Sequence, residues 1–256
     1  MHILDRPRPL RIFEVSLDLT RPERKPMVLI GPDPDAAGGA EAQLIAPLPR
    51  VVREGLFLAI NANAFAWSDP RGASKAPARW RPGQPVDILS GAHDGRRQAS
   101  PPDRAYWRFW QEPASQIRVG QVSDTRSVRW AVAGFGPLIL AGQEVPLEGQ
   151  ARHPRTAVGL DASGRRSVWV VVDGRHPGSS EGMSLRELAQ WMLQRGCRET
   201  INLDGDGSSI LIAGVRRTQP RCAIDLQAVN RDGCRCCWDF ACGIEPASHH
   251  SLWLGC

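Results

Sequence analysis

The stretch from His153 to Ile212 constrains the fold more than any other part of the chain. Two short Val-rich apolar runs, Thr156 to Asp161 and Ser167 to Val172, flank Ala162, Ser163, Gly164 and Arg165, the turn composition of a β-hairpin. A polar loop follows, Asp173 to Met183. Leu185, Leu188, Ala189, Met192 and Leu193 then recur at i, i+3, i+4, i+7 and i+8, which places them on one face of a helix. Ser184 with Glu187 forms a capping box at its start, and Gly196 supplies the left-handed residue that ends it. Ile201, Asn202 and Leu203 read as a strand, Asp204 to Ser209 as a glycine-rich turn, and Ile210 to Ala213 as a further strand. The pattern predicts an α+β fold of mixed β-sheets with few helices, one of them amphipathic over about 184–195.

The polar residues of this stretch sit at the ends of its regular segments. The loops DGRHPGSSEG and NLDGDGSS each leave the end of a predicted strand. If those strands are neighbours, Asp173, Arg175, Asn202, Asp204 and Asp206 converge at one sheet edge, a usual place for a site.

The order RTAVG, VVVDGR, GMSLRELA, NLDGDGSS resembles the phosphodiester glycosidase family, whose usual forms are RTAIG, VVDGR, GMTLxELA and NLDGGGSS. Further up the chain AINANAF resembles the family's AINGGFF, and AVAGFGPLILAGQ resembles its GGPLL strand pair. The likeness runs from about Pro9 to Gly214, which sets an expected domain over 1–214 and leaves 215–256 as an irregular tail. The resemblance implies a hydrolase that cleaves the glycosidic C–O bond of a sugar-1-phosphodiester, carried on a glycan or a cell-envelope polysaccharide. It also implies work in the periplasm or outside the cell. MHILDRPRPL shows no charged region followed by an apolar core, so no secretory signal is visible, and a cytoplasmic place stays open.

Such a reaction releases a phosphate that is already stable as an anion, so strong acid assistance matters less than in ordinary glycosides. The site needs a carboxylate to direct water or attack, stabilisation of an oxocarbenium-like centre, and donors for the phosphate. Asp173 and Asp204 are the candidate catalytic carboxylates. Arg155 and Arg175 are candidate phosphate donors, because a guanidinium fork matches phosphate oxygens. Gly205, Gly207, Ser208 and Ser209 can aim N–H groups and hydroxyls at an anion. Asn61 and Asn202 would hold sugar hydroxyls or water. Asn61 is placed there by its match to the family's AIN, and Gly134 by the family's glycine turn near the site. His176 and Glu181 are second-rank acid or base candidates. The chain departs from the family at Ala62 and Asn63, where two glycines are usual, and at Asp206, where one is. An added carboxylate there must point away, hold a cation, or mark a different substrate.

No cofactor is required by the sequence. Asp204 and Asp206 are candidates for holding Ca²⁺ or Mg²⁺ through oxygen ligands, although the EF-hand spacing is absent. The net charge of +5 rests almost wholly on Arg, with Lys25 and Lys75 the only lysines. No Lys/Arg block, zinc-finger spacing or aromatic RNA-binding motif supports a nucleic-acid partner. The longest apolar runs, GLFLAI and VWVVV, are strand-sized, so no membrane span is expected. The expected partner is a sugar phosphodiester or an anionic polysaccharide.

Four further expectations concern the remaining chain. Leu10 to Leu19 and Gly55 to Ile60 read as strands, with Thr20 to Pro49 a Pro- and Gly-rich connection. Val86 to Leu89 and Arg96 to Ala99 read as a short hairpin, and His93 with Asp94 as a turn between them. Ala105 to Gln111 is an aromatic strand or sugar-stacking lip, and the strands Val128 to Val132 and Leu138 to Leu140 flank the AGFGP turn. The tail crowds Cys222, Cys234, Cys236, Cys237, Cys242 and Cys256, which with Cys197 make seven, so not all can pair within one chain. CRCC lacks the paired C-x2-C spacing of common zinc modules.

GDGSS is not the G-x-S-x-G elbow of a serine hydrolase, and no Lys follows the glycines as in a P-loop. The serious alternative is a non-catalytic module that binds an anionic glycan with the same loops.

Overall fold

The structure, a computed structural model, describes residues 1–36, 38–68, 79–114, 116–121, 127–216, 219–220 and 253–255, with the backbone alone for 215–216, 219–220 and 253–255. The Val-rich hairpin forms: Arg155–Asp161 and Arg166–Val172 pair antiparallel, with Arg155 opposite Val172 and Leu160 opposite Ser167. Their apolar runs scarcely alternate because both faces of the sheet are covered. On one face Val168, Val170 and Val172 pack with Leu188, Ala189 and Met192 of the helix Leu185–Gln194. On the other, Val158, Trp169 and Val171 join Phe13, Leu17 and Ile201. The helix is fixed at its ends by the predicted residues. The Glu187 N–H donates to Ser184 Oγ at 3.2 Å, the Ser184 N–H donates to the Glu187 carboxylate at 2.9 Å, and Gly196 follows with φ of 77°.

These strands belong to a seven-stranded sheet whose order is His2–Leu4, Leu10–Asp18, Arg166–Val172, Arg155–Asp161, Cys197–Asn202, Gly136–Leu140, Gln143–Glu144. The two strands that carry the polar loops are therefore not neighbours. Arg155–Asp161 stands between them and is antiparallel to both, with Ala157 opposite Asn202. Two strands that each run against a third run the same way, so both deliver their loops to one sheet edge, where Arg155 begins. The convergence survives with one strand interposed.

A second sheet contains Trp107–Gln111 paired with Trp130–Gly134. In a third, Leu58–Asn61 lies between Leu211–Ala213 and Trp253–Gly255, and the last of these also pairs with Met27–Leu29. Every strand pairing described is antiparallel, and the described residues hold two α-helices, so the fold is mainly β.

The structure corrects the sequence reading at three places. Pro47–Glu54 is an α-helix inside and beyond the expected connection, and the expected strand begins only at Leu58. Proline in the first turn removes no needed donor, and Gly55 with φ of 70° ends the helix. The hairpin of Val86 to Leu89 with Arg96 to Ala99 does not form. Pro85–Ile88 pairs with Ala42–Gln43 and Phe65–Trp67, while Gln98–Ser100 pairs with Ala92–His93. Trp130–Gly134 and Gly136–Leu140 likewise do not pair with each other, because the chain changes sheets between them. His93 and Asp94 do make a turn: His93 Nδ1 accepts the Gly95 N–H, and Asp94 Oδ1 accepts those of Arg96 and Arg97.

The tail cysteines, Trp238, His249 and His250 lie outside the described residues. No helix among the described residues is long and apolar enough to cross a membrane.

Candidate active site

The edge where the two loops meet is tied together by Asn61. Its side chain is fully buried. Nδ2 donates to the Asp204 carbonyl at 2.7 Å, and Oδ1 accepts from Thr156 Oγ1 at 2.7 Å and from the Ile210 N–H at 3.1 Å. A side chain that bridges two strands and both ends of the 204–209 loop is a brace behind the site, not a hand for sugar hydroxyls. Asn63, also fully buried, does the same for the next loop, donating to Leu89, Ser90 and Gly91 carbonyls and accepting the Ala133 N–H.

Glycines let the loops approach. A Cβ on Gly205 would lie 2.8 Å from the Pro154 carbonyl oxygen, and one on Gly174 would lie 2.7 Å from the Pro154 nitrogen. Gly182, with φ of 88°, packs against His153, whose backbone pairs with Met183. Gly134 has the same function one strand further on: a Cβ there would sit 2.3 Å from the Asn202 carbonyl oxygen.

These approaches leave a cleft of about 160 Å³ lined by Pro154, Asp173, Gly174, Arg175, His176, Asp206 and Ser209. That is below the roughly 300–1,000 Å³ of pockets that enclose a drug-sized ligand, so the cleft fits a reacting group and leaves the rest of a polymer outside. Asp173 is 3% exposed. Its Oδ1 accepts the Gly174 N–H at 2.8 Å, and both its oxygens face His176 Nδ1, at 3.2 and 3.3 Å. Burial raises the Asp173 carboxyl above its ordinary range, opposed by His176. Ser180 Oγ donates to the Asp173 carbonyl and accepts the Arg11 N–H, which anchors the loop to the Leu10–Asp18 strand.

Asp204 starts the second loop. Its N–H donates to the Ala62 carbonyl and its Oδ1 accepts the Gly205 N–H at 2.9 Å. Only partly exposed and ringed by protein, it is pushed up to about 7 chiefly by burial, against hydrogen bonds from Ser208 and Gly205. Asp204 therefore keeps its proton well above the pH at which an ordinary carboxyl loses it.

Arg175 and Asp206 form the mouth. Arg175 Nη2 lies 2.8 Å from Asp206 Oδ1 and 2.8 Å from His153 Nδ1, and His153 Nδ1 lies 3.1 Å from the same Asp206 oxygen. The added carboxylate does not point away; it pairs with the Arg175 guanidinium beside His153. Arg155 donates to the Met183 and Ala151 carbonyls, which fixes it in the second rank behind Arg175. Burial lowers its pKa, and Asp206 opposes that. Ser209 Oγ is buried without a hydrogen-bond partner at the cleft wall, and Asn202 Oδ1 is buried and unpartnered at the end of its strand. Gly207 and Ser208 complete the short turn Asp206–Ser208. Glu181 pairs with Arg152 and Arg8 instead of facing the cleft residues. Among the described residues no group of three or more His, Cys, Asp or Glu is placed to hold a metal.

The sequence pattern singled out Asp173, Arg175, His176, Asp206 and Ser209, all of which line one cleft. It did not single out His153, although a His-Pro pair directly before the RTAVG strand stood at the right end of that strand.

A family model described as phosphodiester glycosidase matches residues 58–233, more than half of the chain. The chain belongs to the phosphodiester glycosidase family. Its match to the family runs through both loops and past Gly214. No curated protein matches the chain in sequence. Among solved structures, the catalytic domain of zebrafish N-acetylglucosamine-1-phosphodiester alpha-N-acetylglucosaminidase, auto-inhibited by its pro-peptide, is similar with a TM-score of 0.57 at 15% identity, over 96% of this chain and 82% of that one. A hypothetical protein from Synechocystis is similar with a TM-score of 0.55 at 14% identity, over 99% of this chain and 60% of that one. A protein from Burkholderia pseudomallei K96243 is similar with a TM-score of 0.57 at 12% identity, over 96% and 74%. These likenesses show that the chain shares their fold.

Proposed function

We propose that the protein hydrolyses the glycosidic C–O bond of a sugar-1-phosphodiester borne on a glycan or cell-envelope polysaccharide. The observation that carries this reading is the cleft of a phosphodiester glycosidase family member in which a buried carboxylate, Asp173, and a guanidinium, Arg175, line the same small space.

Placement supports these roles. Asp173, held by His176 and the Gly174 N–H, is the carboxylate that attacks the anomeric carbon or directs water to it. Arg175 grips the phosphate as negative charge develops on the departing oxygen, and Ser209 Oγ offers it a hydrogen bond. Asp204 is not among the residues that line the cleft; with its carboxyl pushed up to about 7 it carries less than a full charge near neutral pH and so opposes that anion less than an ordinary carboxylate would. The bond from C1 to oxygen breaks, a water oxygen ends on C1, and the products are a reducing sugar and a phosphate monoester. A cleft too small for a polymer fits action on a group that projects from one. Such a substrate lies outside the cytoplasm, and we place the protein there too.

The test is turnover of a simple alkyl sugar-1-phosphodiester by the purified full chain, read as reducing sugar and phosphate monoester together. Asp173→Asn and Asp204→Asn are expected to lose turnover while retaining binding. Saturable binding of an anionic polysaccharide, with no turnover on any diester, would replace the enzyme by a binding module.

A further inference from the structure

Asp206 and Arg175 reach each other by an unusual backbone path. Both are in the left-handed region, with φ of 54° and 62°, which residues bearing a side chain enter at a penalty. The result is one carboxylate oxygen seated on the Arg175 guanidinium and beside His153: Asp206 Oδ1 is 2.8 Å from Arg175 Nη2 and 3.1 Å from His153 Nδ1. Asp206 and Arg175 both line the cleft, as does the buried Asp173. An incoming phosphate oxygen has no better place to sit than the one this carboxylate fills.

The contact is also easy to break. The Arg175 and Asp206 side chains are 53% and 52% exposed, and ion pairs in water are weak. A phosphate offers more charge and several acceptor oxygens to the same fork, so it competes well against a single carboxylate.

We propose that Asp206 is a built-in occupant of the anion site that Arg175 offers beside His153, standing where a substrate phosphate oxygen binds and leaving when the substrate enters. This rests on the reading that the cleft accepts a phosphodiester. The arrangement makes Asp206 a specificity-determining residue: weakly bound anions fail to displace it, and ligands with further contacts to the cleft succeed.

Calorimetric titration of inorganic phosphate into the full chain at low ionic strength tests this. Asp206→Asn keeps the shape of the side chain, and Asp206→Gly suits the φ of 54°. Both are expected to bind phosphate about 5–10-fold more tightly than the unaltered protein. In an Arg175→Gln background the gain from replacing Asp206 is expected to vanish, because the guanidinium that Asp206 pairs with is gone. An unchanged phosphate affinity in Asp206→Asn and Asp206→Gly overturns the proposal. So does a gain of equal size in the Arg175→Gln background, which would mean general charge repulsion. Diester turnover by the unaltered protein is scored separately. Turnover without a phosphate gain removes the occupant and keeps the activity, whereas a phosphate gain without turnover does the reverse.

Discussion

Asp204 offers the sharpest test of the site's electrostatics. Its carboxyl rises from an ordinary 3.8 to about 7, chiefly because of burial. Below pH 3.8 folded and unfolded chains both hold the proton, and the full stability is present. Between 3.8 and 7 the unfolded chain ionises first, so the folded state binds more protons and stability falls as pH rises. Above about 7 the loss is complete. Roughly three pH units at about 1.36 kcal/mol each give about 4 kcal/mol, an upper figure because Asp204 is partly exposed. Asp204→Asn resembles the protonated acid and can still accept the Gly205 N–H through its amide oxygen. Its stability relative to the unaltered protein should therefore rise from about pH 4 to about pH 7 and level off above that. Urea denaturation at half-unit pH steps reads the difference, which cancels the contribution of Asp173 and other groups. Parallel profiles for the two proteins would show that Asp204 is ionised in the fold, and the assignment of a resident proton would be lost.

Three further outcomes follow from the packing. Asn61→Ala leaves the Ile210 N–H, the Thr156 hydroxyl and the Asp204 carbonyl without their partner, and should destabilise by about 3–5 kcal/mol in denaturant titration; a loss below about 1 kcal/mol would mean that the brace is dispensable. Gly134→Ala places a methyl 2.3 Å from the Asn202 carbonyl oxygen, a backbone atom, and should cost about 2–3 kcal/mol with a reduced melting temperature, whereas an unchanged melting temperature would mean that the strands part freely. We also propose that the domain extends past residue 214: deleting everything after Asp225 removes Trp253–Gly255 from between Met27–Leu29 and Leu58–Asn61 and should abolish cooperative unfolding. A truncated chain that melts as sharply as the full one would instead set the tail apart.

What the sequence determined was local. The hairpin, the helix with its Ser184–Glu187 box, and the polar loops after Val172 and Leu203 are legible because turn composition, apolar period and capping act between residues close in the chain. The proline-started helix Pro47–Glu54 was not legible, since its short run carries too little periodicity to outweigh two prolines. Partners were the other limit. Whether Pro85–Ile88 pairs forward or backward, whether a strand stands between the two loop-bearing strands, and whether Asn61 faces ligand or protein depend on contacts between distant residues. Tertiary structure alone turned Asp206 from an unexplained extra charge into the partner of Arg175 and His153. Side-chain chemistry is written residue by residue, but which charge meets which is set by the path of the whole sheet.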